Sequence, residues 1–122
     1  MRRMISACVV AAALFAMSCS SSSPQERHFH LMNLEYNGAK IWLPGTLVVH
    51  KGDTVHIDLT NKIKGGDEAA HGFEVVGYSE PVVLQSEESK MISFVADKAG
   101  IFDIKCQLHA GHIGGQLIVL DH

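Results

Sequence analysis

The chain has 122 residues, 47% of them hydrophobic, and a formal net charge of −3, which suits one domain with a single core rather than two domains. Arg2 and Arg3 carry the only charges in the first 18 residues, so the remainder stands at −5. An acidic body without a basic stripe argues against nucleic acid as a partner, and no apolar run long enough to span a membrane follows residue 18.

In chain order, the first element is an address. Met1-Arg2-Arg3 is a basic start, residues 7–17 are an unbroken apolar run, and the small residues Ala16 and Ser18 precede Cys19 at −3 and −1. That layout predicts a signal peptide over 1–18, too short for a transmembrane helix. Ala16-Met17-Ser18-Cys19 resembles a bacterial lipobox, with alanine where leucine is usual, and marks Cys19 for lipidation; plain secretion after cleavage at the same bond is the alternative. Residues 19–26, rich in serine, read as a flexible tether, and residues 27–122 as the folded domain. Of three cysteines, only Cys106 then belongs to the domain, so no internal disulfide forms. An unoccupied thiol in an oxidising compartment is a liability.

The domain reads as strands throughout. Residues 27–36 alternate, with Phe29 and Leu31 on one parity, and Asn37-Gly38 is a hairpin signal. Residues 46–50 and 54–61 are rich in β-branched side chains, the second with Val55, Ile57 and Leu59 on one face. A polar loop with Gly65-Gly66 leads to short strands at 72–76 and 82–85. Further strands follow at 91–96, 101–106 and 115–120, with Phe102, Ile104 and Cys106 sharing a face. Residues 68–70 and 97–99 fit single helical turns and nothing longer. Seven to eight short strands punctuated by turns predict an all-β, antiparallel sandwich.

The chemistry concentrates in Cys106-Gln107-Leu108-His109-Ala110-Gly111-His112, a thiol and two imidazoles in seven residues. Strand parity aims the Cys106 sulfur inward at the end of its strand, and Gly111, Gly114 and Gly115 are expected to let the backbone turn tightly enough for the imidazoles to converge. A thiolate with two histidines suits copper best. His71, at the entry to strand 72–76, offers a third imidazole from a separate loop. Zinc is the main competitor, although structural zinc usually recruits more than one cysteine. A Cys–His nucleophile lacks an orienting carboxylate and a glycine-rich oxyanion loop. The remaining histidines read differently: His28 and His30 share a strand face and offer only an adventitious metal contact. His50 and His56 read as solvated, and His122 is terminal.

With those residues in place, residues 27–122 resemble the cupredoxins, small copper-binding Greek-key sandwiches. The resemblance rests on residues 44–61 (PGTLVVHKGDTVHIDLTN), His71-Gly72-Phe73, Ala99-Gly100-Ile101-Phe102, and the more specific Cys106-x-x-His109. It implies His71, Cys106 and His109 as metal ligands. In the short-loop amicyanin pattern an axial methionine falls six residues after the cysteine, where this chain has His112. Lys98-Ala99-Gly100 and Cys106-Gln107-Leu108-His109 also resemble nitrosocyanin, whose glutamate before Gly-Phe is replaced here by His71. The expected metal set is therefore His71, Cys106, His109 and His112, holding one copper per chain. The implied function is extracytoplasmic single-electron transfer between redox partner proteins, in the periplasm or cell envelope of a bacterium, by a carrier rather than an enzyme. A nitrosocyanin-like catalyst with an open copper position and a copper storage or delivery module are the alternatives.

Overall fold

The computed structural model describes residues 23–66 and 68–121. The expected signal peptide, the lipidation site Cys19, the first part of the tether and His122 lie outside the described residues. Among those described, no helix is long and apolar enough to cross a membrane.

Nine strands form among the described residues: β1 (Glu26–Tyr36), β2 (Ala39–Leu43), β3 (Thr46–His50), β4 (Thr54–Asn61), β5 (His71–Val75), β6 (Val82–Leu84), β7 (Ser89–Val95), β8 (Gly100–Lys105) and β9 (Gly115–Leu120). They make a four-stranded sheet in the order β2-β1-β4-β7 and a five-stranded sheet in the order β3-β9-β8-β5-β6. The fold is thus the expected all-β Greek-key sandwich. Two pairings, β1 with β4 and β3 with β9, are parallel rather than antiparallel. Both arise because the chain changes sheet between β2 and β3 and again between β3 and β4, so each of these neighbours is reached by a crossover rather than a hairpin.

Period-2 patterning decides which faces meet. Val55, Ile57 and Leu59 of β4 and Leu31 of β1 pack against Leu47, Val49, Phe73, Val75, Ile104, Leu117 and Val119 of the other sheet. Trp42 sits among them, fully buried, its indole N–H donating to the Gly72 carbonyl at 3.0 Å and its ring edge-on to Phe73. Asn37 and Gly38, with φ of 50° and 80°, close the β1–β2 hairpin as two-residue turns of opposite twist require.

β2 is the strand the sequence pattern does not reveal. Its apolar residues fall on both parities, so no alternation marks it, and the buried member proves to be Trp42 while Ile41 is only half-buried. The expected helical turns at 68–70 and 97–99 do not form; both stretches are non-helical connections. Order also begins inside the expected tether. The buried Asp53 carboxylate accepts the Gln25 and His50 amides at 2.9 and 3.0 Å and pairs with Arg27 at 2.9 Å, and Thr54 donates its amide to the Gln25 carbonyl. Burial alone would raise the Asp53 pKa, but the His50 amide, Arg27 and the Gln25 amide together bring it down to about 2.

Candidate metal centre

The three residues that come together do so because β5 starts where its neighbour β8 finishes, at one end of the five-stranded sheet. His71 opens β5, Cys106 follows the last residue of β8, and β5 and β8 are antiparallel neighbours. The chain after Cys106 turns back through a bond from the His112 amide to the His109 carbonyl. Ile113 then bonds the Lys40 carbonyl and bridges to Ile41 of β2, which pins the loop across the end of the sandwich. Gly111 lies in the turn from His109 to His112, as expected, whereas Gly114 and Gly115 serve close approach. A Cβ at Gly114 would collide with the Ile104 carbonyl oxygen and one at Gly115 with the Gly45 carbonyl oxygen, whereas Gly111 faces open space.

His71 is 0% exposed, and neither ring nitrogen has a hydrogen-bond partner. Burial, reinforced by His112, His109 and Lys40 nearby and opposed only slightly by the Glu68 carbonyl, brings its pKa down to about 4, so the ring is neutral at physiological pH. A buried neutral imidazole with two unanswered nitrogens is costly unless something else answers one of them. Cys106 is 9% exposed; its Sγ accepts the Gly72 amide at 3.2 Å and lies 3.8 Å from His109 Nδ1. One ligand atom from each of His71, Cys106 and His109 lies within 4.8 Å of the others. The His71 and His109 rings are 4.7 Å apart, centre to centre. A soft sulfur already receiving an N–H and two borderline nitrogens, one otherwise orphaned, fit a copper ion.

His112 sits beside this trio but outside it. Its ring lies 5.1 Å from that of His71, while Nε2 contacts Asn33 Oδ1 at 2.8 Å and Nδ1 faces the Ile113 carbonyl at 3.1 Å. Burial lowers its pKa, partly opposed by that carbonyl, with His109 and Lys40 adding to the lowering. The amide chain behind it fixes the orientation of Asn33, and the shorter Nε2 contact favours the proton on Nε2. Asn61 Nδ2 donates to the Ala69, Leu84 and Gln85 carbonyls, and its Oδ1 accepts the Ile63 amide and Asn33 Nδ2. Asn33 must therefore present oxygen to His112, whose Nε2 donates. A neutral His112 then points its Nδ1 lone pair at a carbonyl oxygen, an arrangement that a cation at Nδ1 would relieve.

Asn33, Asn61 and Trp42 were not singled out from the sequence as parts of this site. For the two asparagines a signal exists: Asn33 follows Phe29 and Leu31 on the inward parity of β1, Asn61 follows Val55, Ile57 and Leu59 on that of β4, and a buried amide demands partners. A cleft of about 240 Å³ reaches His109 and His112 from solvent, lined also by Gly38, Lys40, Glu68 and Gly111.

Residues 7–119 match the model of the cupredoxin-like domain family. The chain belongs to the cupredoxin-like family. It is similar to the nitrous-oxide reductases of Cupriavidus necator and Ralstonia nicotianae, 38% and 37% identical over 65 residues. Each match covers 52% of this chain and 10% of the reductase, so this cupredoxin spans about a tenth of the relatives' length. Its fold is similar to that of the copper nitrite reductase from Nitrosomonas europaea, with a TM-score of 0.66 and 21% identity over 79% of this chain and 42% of that one. Copper binding is what membership of this family implies, and the His71–Cys106–His109 cluster is where this chain carries donors suited to it.

Proposed function

We propose that this cupredoxin is an extracytoplasmic carrier of single electrons that holds one copper ion per chain through His71, Cys106 and His109, with His112 Nδ1 as the fourth donor. The observation that carries the reading is His71: a fully buried ring, neutral, with both nitrogens unpartnered, beside the Cys106 sulfur and His109. Copper bound there supplies one-electron chemistry by cycling between Cu(I) and Cu(II). The protein's part is to keep the donors from moving as the charge changes. The Gly72 N–H steadies the thiolate, the Asn61–Asn33 chain orients His112, and the Ile113–Lys40 bond closes the loop. Leu108, next to His109 in the chain, and Ile113, next to His112, are both about half exposed (46% and 47%) and supply apolar surface for a redox partner protein. The N-terminal signal and Cys19 support a lipid-anchored place in the cell envelope. Reversible one-electron voltammetry of the copper-loaded protein tests the carrier role; a wave that is absent, or that demands large overpotential, would reject it.

One observation favours a second reading, a catalyst acting on a small ligand. The cleft beside His109 and His112 carries Lys40 at its wall, a cation loosely paired with Glu35 at 3.9 Å and set against Glu68 across the lining, which a small anion would have to draw away. Azide or nitrite that changes the spectrum of the copper-loaded protein, and does so less in Lys40→Met, would favour this reading over the carrier.

A further inference from the structure

A second group of ligating side chains lies on the outer face of the four-stranded sheet and shares no residue with the first. Because β1 and β4 run parallel, His28 and His56 are register partners and stand side by side, and Glu26, two residues earlier in β1, faces the same way. The two imidazoles stack with ring centres 4.6 Å apart and planes 15° from parallel. Glu26 Oε2 lies 2.9 Å from His56 Nε2 and 3.9 Å from His28 Nε2. One ligand atom from each of the three residues lies within 4.8 Å of the others.

We propose that Glu26, His28 and His56 form a second metal site, for a divalent transition ion such as Cu2+ or Zn2+. Two imidazoles and a carboxylate are a borderline donor set, which selects these ions over Mg2+ or Ca2+ and, lacking sulfur, does not favour Cu(I). Nitrogen–metal bonds of about 2.0–2.1 Å require donors within about 4 Å of each other, a small rotamer adjustment from the present spacing. His56 is held ready for it. Its Nδ1 lies 2.8 Å from Ser93 Oγ, on the β7 residue paired with it, and its Nε2–H donates to Glu26; a metal ion replaces that Nε2 proton, and Ser93 then accepts Nδ1–H to hold the ring in place. Glu26 and His28 are 69% and 62% exposed, so the site is open to solvent and its ion exchanges freely, in contrast to the buried thiolate centre. Its remaining coordination positions face water.

Titrating the full mature protein with Cu2+, followed by metal analysis and electron paramagnetic resonance, tests this. The wild type should take up a second equivalent that adds no sulfur charge-transfer absorption and is displaced by Zn2+. His56→Ala and His28→Ala should each weaken that second binding at least tenfold, and Ser93→Ala about tenfold, while His30→Ala leaves it unchanged. All four variants should keep the visible band of the first equivalent. Cys106→Ser should lose that band yet keep the non-thiolate ion, so failure of the central site and failure of this one are separately visible. Uptake of only one equivalent by the wild type, or second-site binding unaffected by His28→Ala and His56→Ala, would overturn the proposal.

Discussion

Replacing His71 with leucine sets folding against function, and the two effects should have opposite signs. A neutral imidazole presents one N–H donor and one acceptor nitrogen, and at His71 both are buried without a well-formed hydrogen bond, the Glu68 carbonyl being only a weak neighbour. Each unanswered group costs about 1–3 kcal/mol. Leucine removes both at similar volume, against about 1–2 kcal/mol for its different shape in a packed core. Taken at mid-range, two such groups cost about 4 kcal/mol and the shape change about 1.5, so the metal-free variant should be more stable than the wild type by about 2.5 kcal/mol, a rise in melting temperature of about 10–20 °C for a domain of this size. With copper present the order should reverse, because an ion held at a thousand times its dissociation constant adds about 4 kcal/mol to the wild type and far less to the variant. Thermal unfolding followed by circular dichroism, with chelator and with one equivalent of copper, reads both arms. A metal-free His71→Leu protein that melts at or below the wild type would refute the claim that His71 is held at a cost to the fold.

Other outcomes follow from the same geometry. His112→Met exchanges a strong nitrogen donor for a weak thioether, so the absorption should move toward that of ordinary blue copper and the potential should rise; an unchanged spectrum and potential would show that His112 is not a ligand. Asn33→Leu should weaken copper binding about tenfold or more by freeing the His112 ring, with the metal-free fold checked separately by circular dichroism. Gly115→Ala should cost about 2 kcal/mol or more in denaturant unfolding, because its Cβ meets backbone. Gly72→Ala should cost less, since the obstacle is the flexible Gln107 amide. Asp53→Asn should destabilise the domain by about 2–3 kcal/mol through its lost charged hydrogen bonds. In the wild type the Asp53 contribution is present above pH 3.8 and disappears as the pH falls toward 2, because the unfolded chain takes up that proton first. His71 acts in the same direction at higher pH. With a folded pKa of about 4 against 6.5, it should make the metal-free protein progressively less stable as the pH falls from 6.5 to 4.

The alternation of β4 and the β-branched runs at β3 and β9 were legible because one face of each strand is buried and the other wet; these three strands have the expected bounds. β2 was not legible, because its one decisive inward residue, Trp42, is flanked by apolar neighbours that do not share its burial. Convergence of His71, Cys106 and His109 was readable from a seven-residue loop and a strand entry. The tie of His112 to Asn33 was not, since it spans 79 positions and depends on which amide atom faces the ring. The parallel register that sets His28 against His56 was likewise hidden, because strand order across a crossover leaves no local signature in either strand. His56 accordingly looked like a solvated surface residue, whereas it bonds both Ser93 and Glu26.

The central claim is that the Cys106 thiolate binds copper at one end of the sandwich. The most direct test is the visible absorption of the protein loaded with one equivalent of Cu(II), compared with that of Cys106→Ser. An intense sulfur-to-copper charge-transfer band in the wild type should vanish in the variant while the far-ultraviolet sheet signal persists. No such band in the wild type, or a band that survives the loss of the sulfur, would contradict the account.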